Sequence, residues 1–136
     1  AGSHALENFV SDVARDVTDP QTQISILERS RAKALVSASS ASSKKALLAK
    51  KSLPLGALGS GSDYSPFFQH LGIPSLNLGF GGENDGGEYH SIYDSYDHYK
   101  RFKDPKFEYG VALAKAAGRA TMRMSNAELL PFDYRK

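Results

Sequence analysis

Four histidines and no cysteine limit the metal and nucleophile chemistry available to this 136-residue chain. The absence of thiols excludes a disulfide framework, a thiolate zinc knuckle and a cysteine nucleophile. Ordinary explanations cover three histidines: His4 lies in a tag-like start, His70 at a helix end and His98 among tyrosines. His90 instead follows Tyr89 at the end of a glycine-rich segment, where an imidazole could bind a metal. A zinc site needs three or four ligands, so the partners of His90 would have to come from elsewhere.

A second candidate feature is the glycine-serine turn at residues 59–63. This turn lacks both the P-loop ending and the dinucleotide-binding pattern of glycines, which argues against a nucleotide site. Its backbone N–H groups, at the start of a predicted helix, could still hold a carboxylate. The acidic residues at 83–88 could suggest a calcium loop, but their spacing is not that of an EF-hand, and a solvated acidic loop is preferred.

The elements around these features predict an α/β fold. Two short apolar segments, 55–61 and 73–80, flank a predicted helix at 64–70, which is the order of a βαβ unit with parallel strands. Ligands bind beyond the carboxyl ends of such strands, so the 59–63 turn and the 79–90 loop are expected at one edge of the sheet. Further helices are predicted at 6–17, from 22 or 23 to about 36, and from 105 to about 125.

Composition excludes several classes of function. Seventeen Lys and Arg against 15 Asp and Glu leave a net charge of +2, which does not favour nucleic acid as a partner. With 40% hydrophobic and 24% charged residues the chain is neither disordered nor membrane-spanning in composition. No apolar run approaches the ~18 residues that a membrane helix requires.

Four motifs resemble one family. They lie at residues 58–73 (LGSGSDYSPFFQHLGI), 89–96 (YHSIYDSY), 104–107 (DPKF) and 130–133 (LPFD). In this order the motifs resemble the glutamate carboxypeptidase II and transferrin receptor branch of the co-catalytic zinc exopeptidases.

The resemblance implies specific roles for four residues. His90 is implied as a zinc ligand, and Tyr89 as a catalytic residue that donates a hydrogen bond to substrate and to the oxyanion. Gly61 and Ser62 are implied, with Tyr89, to bind substrate. A phenol hydroxyl such as that of Tyr89 can stabilise the negative charge that develops on the substrate oxygen by donating a hydrogen bond to it. Two zinc ions are implied for the intact parent enzyme, and no tightly bound zinc for this chain alone.

The resemblance also implies an architecture. Residues 1–5 are predicted to be a cloning-tag remnant, and residues 6–136 the C-terminal portion of a catalytic domain truncated at both ends. The expected fold is a partial three-layer α/β/α domain with a mostly parallel sheet and flanking helices. The family's remaining zinc ligands and its helical dimerisation domain are not present in the sequence. The isolated chain is therefore expected to be inactive, and to self-associate through an exposed sheet edge.

Two alternatives accompany the exopeptidase hypothesis. A non-catalytic transferrin-receptor-like homologue would use the same fold for binding or dimerisation, although the presence of His90 argues against it. An autonomous interaction module would use the Ser-rich and Lys-rich stretch. Asn77 and Gly79 stand where members selective for acidic peptides carry arginines, which predicts a broader aminopeptidase or dipeptidase specificity. The residues leave the compartment open, and the resemblance favours an extracytoplasmic one.

Overall fold

The computed structural model describes residues 1–81 and 87–135 and shows a predominantly helical chain. Within these residues, none of the helices is long and apolar enough to cross a membrane. The elements follow in chain order: a 3₁₀ turn at His4–Leu6, α1 at Glu7–Arg15, α2 at Ile26–Ser37, α3 at Ala41–Ala49, a π-helical turn at Pro66–His70, α4 at Tyr96–His98, a second π-helical turn at Tyr99–Lys103, and α5 at Glu108–Ser125. The three long helices predicted from periodicity are confirmed as α1, α2 and α5.

The predicted α/β fold with a mostly parallel sheet is wrong. Across residues 1–81 and 87–135 the only pairing of strand type is two isolated antiparallel bridges, Gly2 with Leu76 and Thr18 with Ser25. The segments 55–61 and 73–80, predicted as neighbouring parallel strands, do not pair with each other. Without a sheet, the three-layer α/β/α arrangement and the sheet edge expected to drive self-association are also absent from the described part of the chain.

The physical reason lies in the N-terminal segment, which separates the two predicted strands. The backbone N–H of Gly2 donates to the carbonyl of Gly56 at 2.9 Å. On the other side, the N–H of Ser3 donates to the carbonyl of Ser75, also at 2.9 Å. Short apolar segments become strands only where a neighbour offers a continuous ladder, and here each meets only a few residues.

Local signals in the sequence explain where α2 begins. The side chain of Ser25 accepts a hydrogen bond from the backbone N–H of Glu28 at 3.1 Å, and the Glu28 carboxylate accepts one from the backbone N–H of Ser25 at 3.1 Å. This reciprocal capping box satisfies two N–H groups that would otherwise lack partners at the helix start. The hydrogen bonds from Ser25 also hold the pKa of Glu28 below its ordinary value.

The core lies between α1 and α5. Leu6, Phe9 and Val13 form one buried face, and Leu6 is only 2% exposed. Ala116 and Ala120 of α5 are among the partly buried residues that pack against this face. Burying an apolar side chain of this size contributes about 1.5–3 kcal/mol. Between residues 28 and 103, by contrast, no described residue is fully buried.

The close approach of the N-terminal segment gives a testable prediction at Gly2. A Cβ atom at this position would lie 2.6 Å from Leu76 Cδ2 and 3.1 Å from Leu55 Cδ1. We expect Gly2→Val to lower the free energy of unfolding by about 1 kcal/mol, at the lower end of the usual cost of overpacking, because the two leucine methyl groups can shift. Gly56→Val is the matched control, because a Cβ there meets nothing within 4 Å. Chemical denaturation followed by circular dichroism measures both, and equal stabilities would contradict the close packing.

Candidate active site

Tyr89 and His90 lie side by side in a tight turn. Their rings are stacked, with centroids 3.8 Å apart and planes at 24°. The turn is closed by Ser91, whose backbone N–H and hydroxyl donate to the Glu88 carbonyl at 2.9 and 2.6 Å. Both side chains face solvent, and Tyr89 is 77% exposed. A phenol and an imidazole are therefore presented together, where a ligand can reach both.

The backbone at His90 is strained. Its φ angle of 61° lies in the left-handed region, which non-glycine residues rarely occupy. Such a conformation costs on the order of 1–3 kcal/mol and persists only where the surroundings enforce it. Strained residues of this kind cluster at functional sites, so the geometry is consistent with the role predicted for His90.

Glu88, immediately before the pair, forms an ion pair with Lys103. The Lys103 ammonium lies 2.7 Å from Glu88 Oε1. The hydrogen bond from Lys103, together with the backbone N–H of Glu88 itself, holds the pKa of the Glu88 carboxyl below its ordinary value. The other carboxylate oxygen, Oε2, is buried and has no hydrogen-bond partner among the described residues. Lys103 is therefore the cation that pairs directly with this carboxylate.

The other end of the glycine-rich loop is also attached to the α5 region. The ring of Phe80 meets the ring of Tyr109 edge to face, with centroids 5.2 Å apart. Tyr109 lies in the first turn of α5, a few residues after Lys103. Both ends of the loop thus contact one continuous segment. The acidic residues considered for a calcium loop, Glu83 to Asp85, lie outside the described residues.

Asp19 connects the α1–α2 loop to the same region. Its carboxylate is buried and accepts hydrogen bonds from the backbone N–H of Thr22 at 2.9 Å and from Arg29 Nη1 at 2.6 Å. The Tyr109 hydroxyl donates to Asp19 Oδ2 at 3.4 Å and accepts from Arg29. Burial alone would raise the pKa of Asp19, but these hydrogen bonds and the Arg29 charge together hold it below its ordinary value.

Asp104 anchors the start of α5. Its carboxylate, in a residue only 6% exposed, accepts from the backbone N–H of Gly110 at 2.8 Å and from the Tyr99 hydroxyl at 3.1 Å. Burial opposes ionisation, yet the backbone N–H groups at the helix start lower the pKa of Asp104 overall. Sequence analysis missed both buried aspartates. The available signal was that each precedes a proline, in Asp19-Pro20 and Asp104-Pro105.

The glycine-serine turn is present as a separate feature. Gly61 has a φ angle of 79°, a conformation that favours glycine, and Ser62 accepts a hydrogen bond from the backbone N–H of Ser65 at 2.8 Å. Both residues are exposed. Within residues 1–81 and 87–135, no hydrogen bond or ring contact joins this turn to Tyr89 or His90. The structure therefore describes two candidate elements without bringing them into contact, and the roles of Gly61 and Ser62 remain predictions.

The donor set of the described residues does not fit a complete zinc site. No group of three or more His, Asp or Glu side chains in residues 1–81 and 87–135 could hold a metal ion. The Nε2 atom of His4 lies 3.2 Å from the carbonyl oxygen of Leu55. The ring of His98 packs on the ring of Phe102, with centroids 5.2 Å apart. His90 supplies one imidazole. Among the described residues, no Asp, Glu or His side chains join it to complete a metal centre.

Among the relatives found by comparison with known proteins, three are named as carboxypeptidases or aminopeptidases. A probable glutamate carboxypeptidase LAMP1 of Arabidopsis thaliana is 40% identical over 76 residues, which are 56% of this chain and 11% of the relative. A probable glutamate carboxypeptidase of Arthroderma benhamiae is 40% identical over 82 residues, which are 58% of this chain and 11% of the relative. The aminopeptidase NAALADL1 of Mus musculus is 35% identical over 85 residues, with the same coverage.

The predicted resemblance to the glutamate carboxypeptidase family is confirmed. The similarity extends over somewhat more than half of the chain and spans about a tenth of the length of these carboxypeptidase and aminopeptidase relatives. No family model matches the chain, and no solved structure matches it.

Proposed function

We propose that this chain is part of a peptidase of the glutamate carboxypeptidase type, which hydrolyses peptide bonds at chain ends. The observation that carries the proposal is the 35–40% identity to proteins named as carboxypeptidases and aminopeptidases. The arrangement of Tyr89 and His90 supports it, because a strained turn presents a phenol and an imidazole together at an exposed position.

Within this proposal each side chain has a distinct task. The Tyr89 hydroxyl donates a hydrogen bond to the substrate oxygen that gains negative charge, a contribution that typically accelerates acyl transfer by about 10²–10³. His90 is one ligand of a zinc ion whose other ligands are not among the described residues. Gly61 and Ser62, which are both exposed, line the substrate cleft. The substrate is a peptide, and the partners are further portions of a catalytic domain that these 136 residues do not supply.

Zinc-dependent hydrolysis by the protein that contains this chain tests the proposal. We expect release of terminal amino acids from short peptides, loss of that release with the chelator 1,10-phenanthroline, and its recovery when zinc is added back. A control with magnesium in place of zinc should not restore it. A folded, zinc-loaded protein that releases no amino acid from any peptide would overturn the proposal.

The same peptide panel resolves the substrate class. Peptides ending in glutamate are compared with otherwise identical peptides ending in alanine. Peptides with a blocked N-terminus are compared with the same peptides carrying a free N-terminus. Because Asn77 and Gly79 provide no positive charge, we expect less than a tenfold preference for the acidic peptides. A strong preference for a terminal glutamate would contradict that expectation while leaving the peptidase proposal intact.

A further inference from the structure

The strained turn at His90 requires a restraint from outside itself. The hydrogen bonds from Ser91 to Glu88 close the turn locally, but they do not orient it relative to the rest of the chain. Among the described residues, the ion pair between Glu88 and Lys103 is the contact that ties this turn to a distant segment. Removal of that tie leaves the left-handed conformation of His90 with local support only.

Lys103 is itself held in place. It is the last residue of the π-helical turn Tyr99–Lys103, and the next residue, Asp104, is buried. Asp104 accepts hydrogen bonds from Tyr99 at the start of this turn and from Gly110 in α5. The backbone on which Lys103 stands is therefore fixed at both ends. A fixed cation opposite a partly buried carboxylate sets the position of that carboxylate more firmly than a mobile surface lysine would.

We propose that Lys103 is a positioning residue for Tyr89 and His90, acting through its ion pair with Glu88. The inference rests on the proposed function only in taking the Tyr89–His90 pair as the site. The orphaned Oε2 atom of Glu88 adds to the argument, because loss of Lys103 would leave both carboxylate oxygens without a side-chain hydrogen-bond partner among the described residues. Lys103 touches neither ring, so its effect is transmitted through residue 88 and the turn.

Nuclear magnetic resonance of the metal-free chain tests this role. The stacked rings of Tyr89 and His90 give cross-relaxation between their protons and an upfield ring-current shift of the His90 resonances. We expect Lys103→Met, which keeps the aliphatic stem, to abolish the ring-to-ring contacts and move the His90 resonances to random-coil values. Lys106→Met is the matched control, since Lys106 is exposed and makes no ion pair within residues 1–81 and 87–135, and should change neither signal.

Rescue separates positioning from a general loss of structure. Lys103→Arg keeps the charge and should keep the ring contacts, while Glu88→Gln removes the other partner and should reproduce the loss seen in Lys103→Met. The double variant Glu88→Lys with Lys103→Glu, which reverses the pair, should restore them. Ring contacts that persist in both Lys103→Met and Glu88→Gln would overturn the proposal.

The outcome is independent of the peptidase assay. The nuclear magnetic resonance experiment needs neither zinc nor peptide. A failure of hydrolysis would therefore refute the proposed function without changing the cross-relaxation or the chemical shifts of the Tyr89 and His90 rings. Conversely, unchanged ring signals in the two variants would refute the positioning role even in an active peptidase.

Discussion

Replacement of His90 by alanine is expected to lower kcat for peptide hydrolysis by more than about 100-fold in the protein that contains this chain. Residues that only orient a metal ligand typically account for a 10–100-fold effect, so loss of the zinc ligand proposed above should exceed that range. The fold should be retained, because His90 is exposed and alanine keeps the Cβ atom, so the side chain is removed without loss of packing. Steady-state kinetics and circular dichroism on the same preparations measure the two effects.

His70 provides the matched control for this result. It is also exposed, lies at the end of the π-helical turn Pro66–His70, and is outside the Tyr89–His90 turn. His70→Ala should therefore keep kcat within about threefold of the unsubstituted protein, on the ordinary scale of surface substitutions. Full turnover by His90→Ala would remove His90 from the site, whereas equal losses in both variants would point to a general structural effect.

Asp19→Ala is expected to lower the free energy of unfolding by about 3 kcal/mol. The substitution removes a carboxylate in a residue that is 2% exposed and leaves Arg29 without its ion-pair partner, with only the uncharged Gln21 Oε1 as an acceptor that Arg29 and Tyr109 share. Breaking a buried charged pair typically costs 3–5 kcal/mol, and the partial exposure of Arg29 places the effect at the lower end. Denaturant titration of the two proteins measures the difference.

Asp12→Ala is the control, because Asp12 pairs with Arg15 on the open surface of α1 and exposed ion pairs contribute less than about 1 kcal/mol. Equal destabilisation by the two alanine variants would contradict the role assigned to Asp19.

The pH dependence of stability offers a second check on Asp19. Since folding lowers the pKa of Asp19, its contribution is present above the ordinary carboxyl value of 3.8 and is lost as pH falls through the lower folded-state value. The difference in stability between the parent and Asp19→Ala should therefore shrink as pH decreases from about 5 to about 3.

The helices were predictable because their signals are local. Apolar residues repeat with helical spacing in α1. The second helix was predicted to start at 22 or 23, whereas α2 begins at Ile26, because Ser25 and Glu28 form a capping box that the prediction did not use. The start of α5 was harder to place, since Phe107 enters the helix with a φ angle of 56° and the proline at 105 lies outside it. Sequence patterns could indicate that a helix exists there, but not the left-handed residue at which it begins.

The predicted sheet failed because strand formation depends on residues far apart in sequence. Periodicity in 55–61 and 73–80 is compatible with strands, yet it contains no information about which segment will lie alongside. Residues 1–3, which have no apolar pattern of their own, occupy that place. An interaction between Gly2 and Leu76 cannot be inferred from either segment alone.

The candidate site was partly predictable for the same reasons. Tyr89 and His90 are adjacent in sequence, so their proximity followed directly, and the glycines before them indicated an unusual loop. The ion pair between Glu88 and Lys103 joins two segments with no shared motif, and the buried Asp104 that supports it had no hydrophobic signal. Long-range polar contacts of this kind become visible only once the backbone is in place.

The uneven distribution of burial has a consequence for the dynamics of the chain. Amide hydrogens of α1 and α5, which share the buried face of Leu6, Phe9 and Val13, should exchange with solvent only in global unfolding. Amides between residues 55 and 103, where no described residue is fully buried, should exchange through local opening at much lower free energy. Tyr89 and His90 therefore lie in the less protected half, where the backbone can change conformation without loss of the core between α1 and α5.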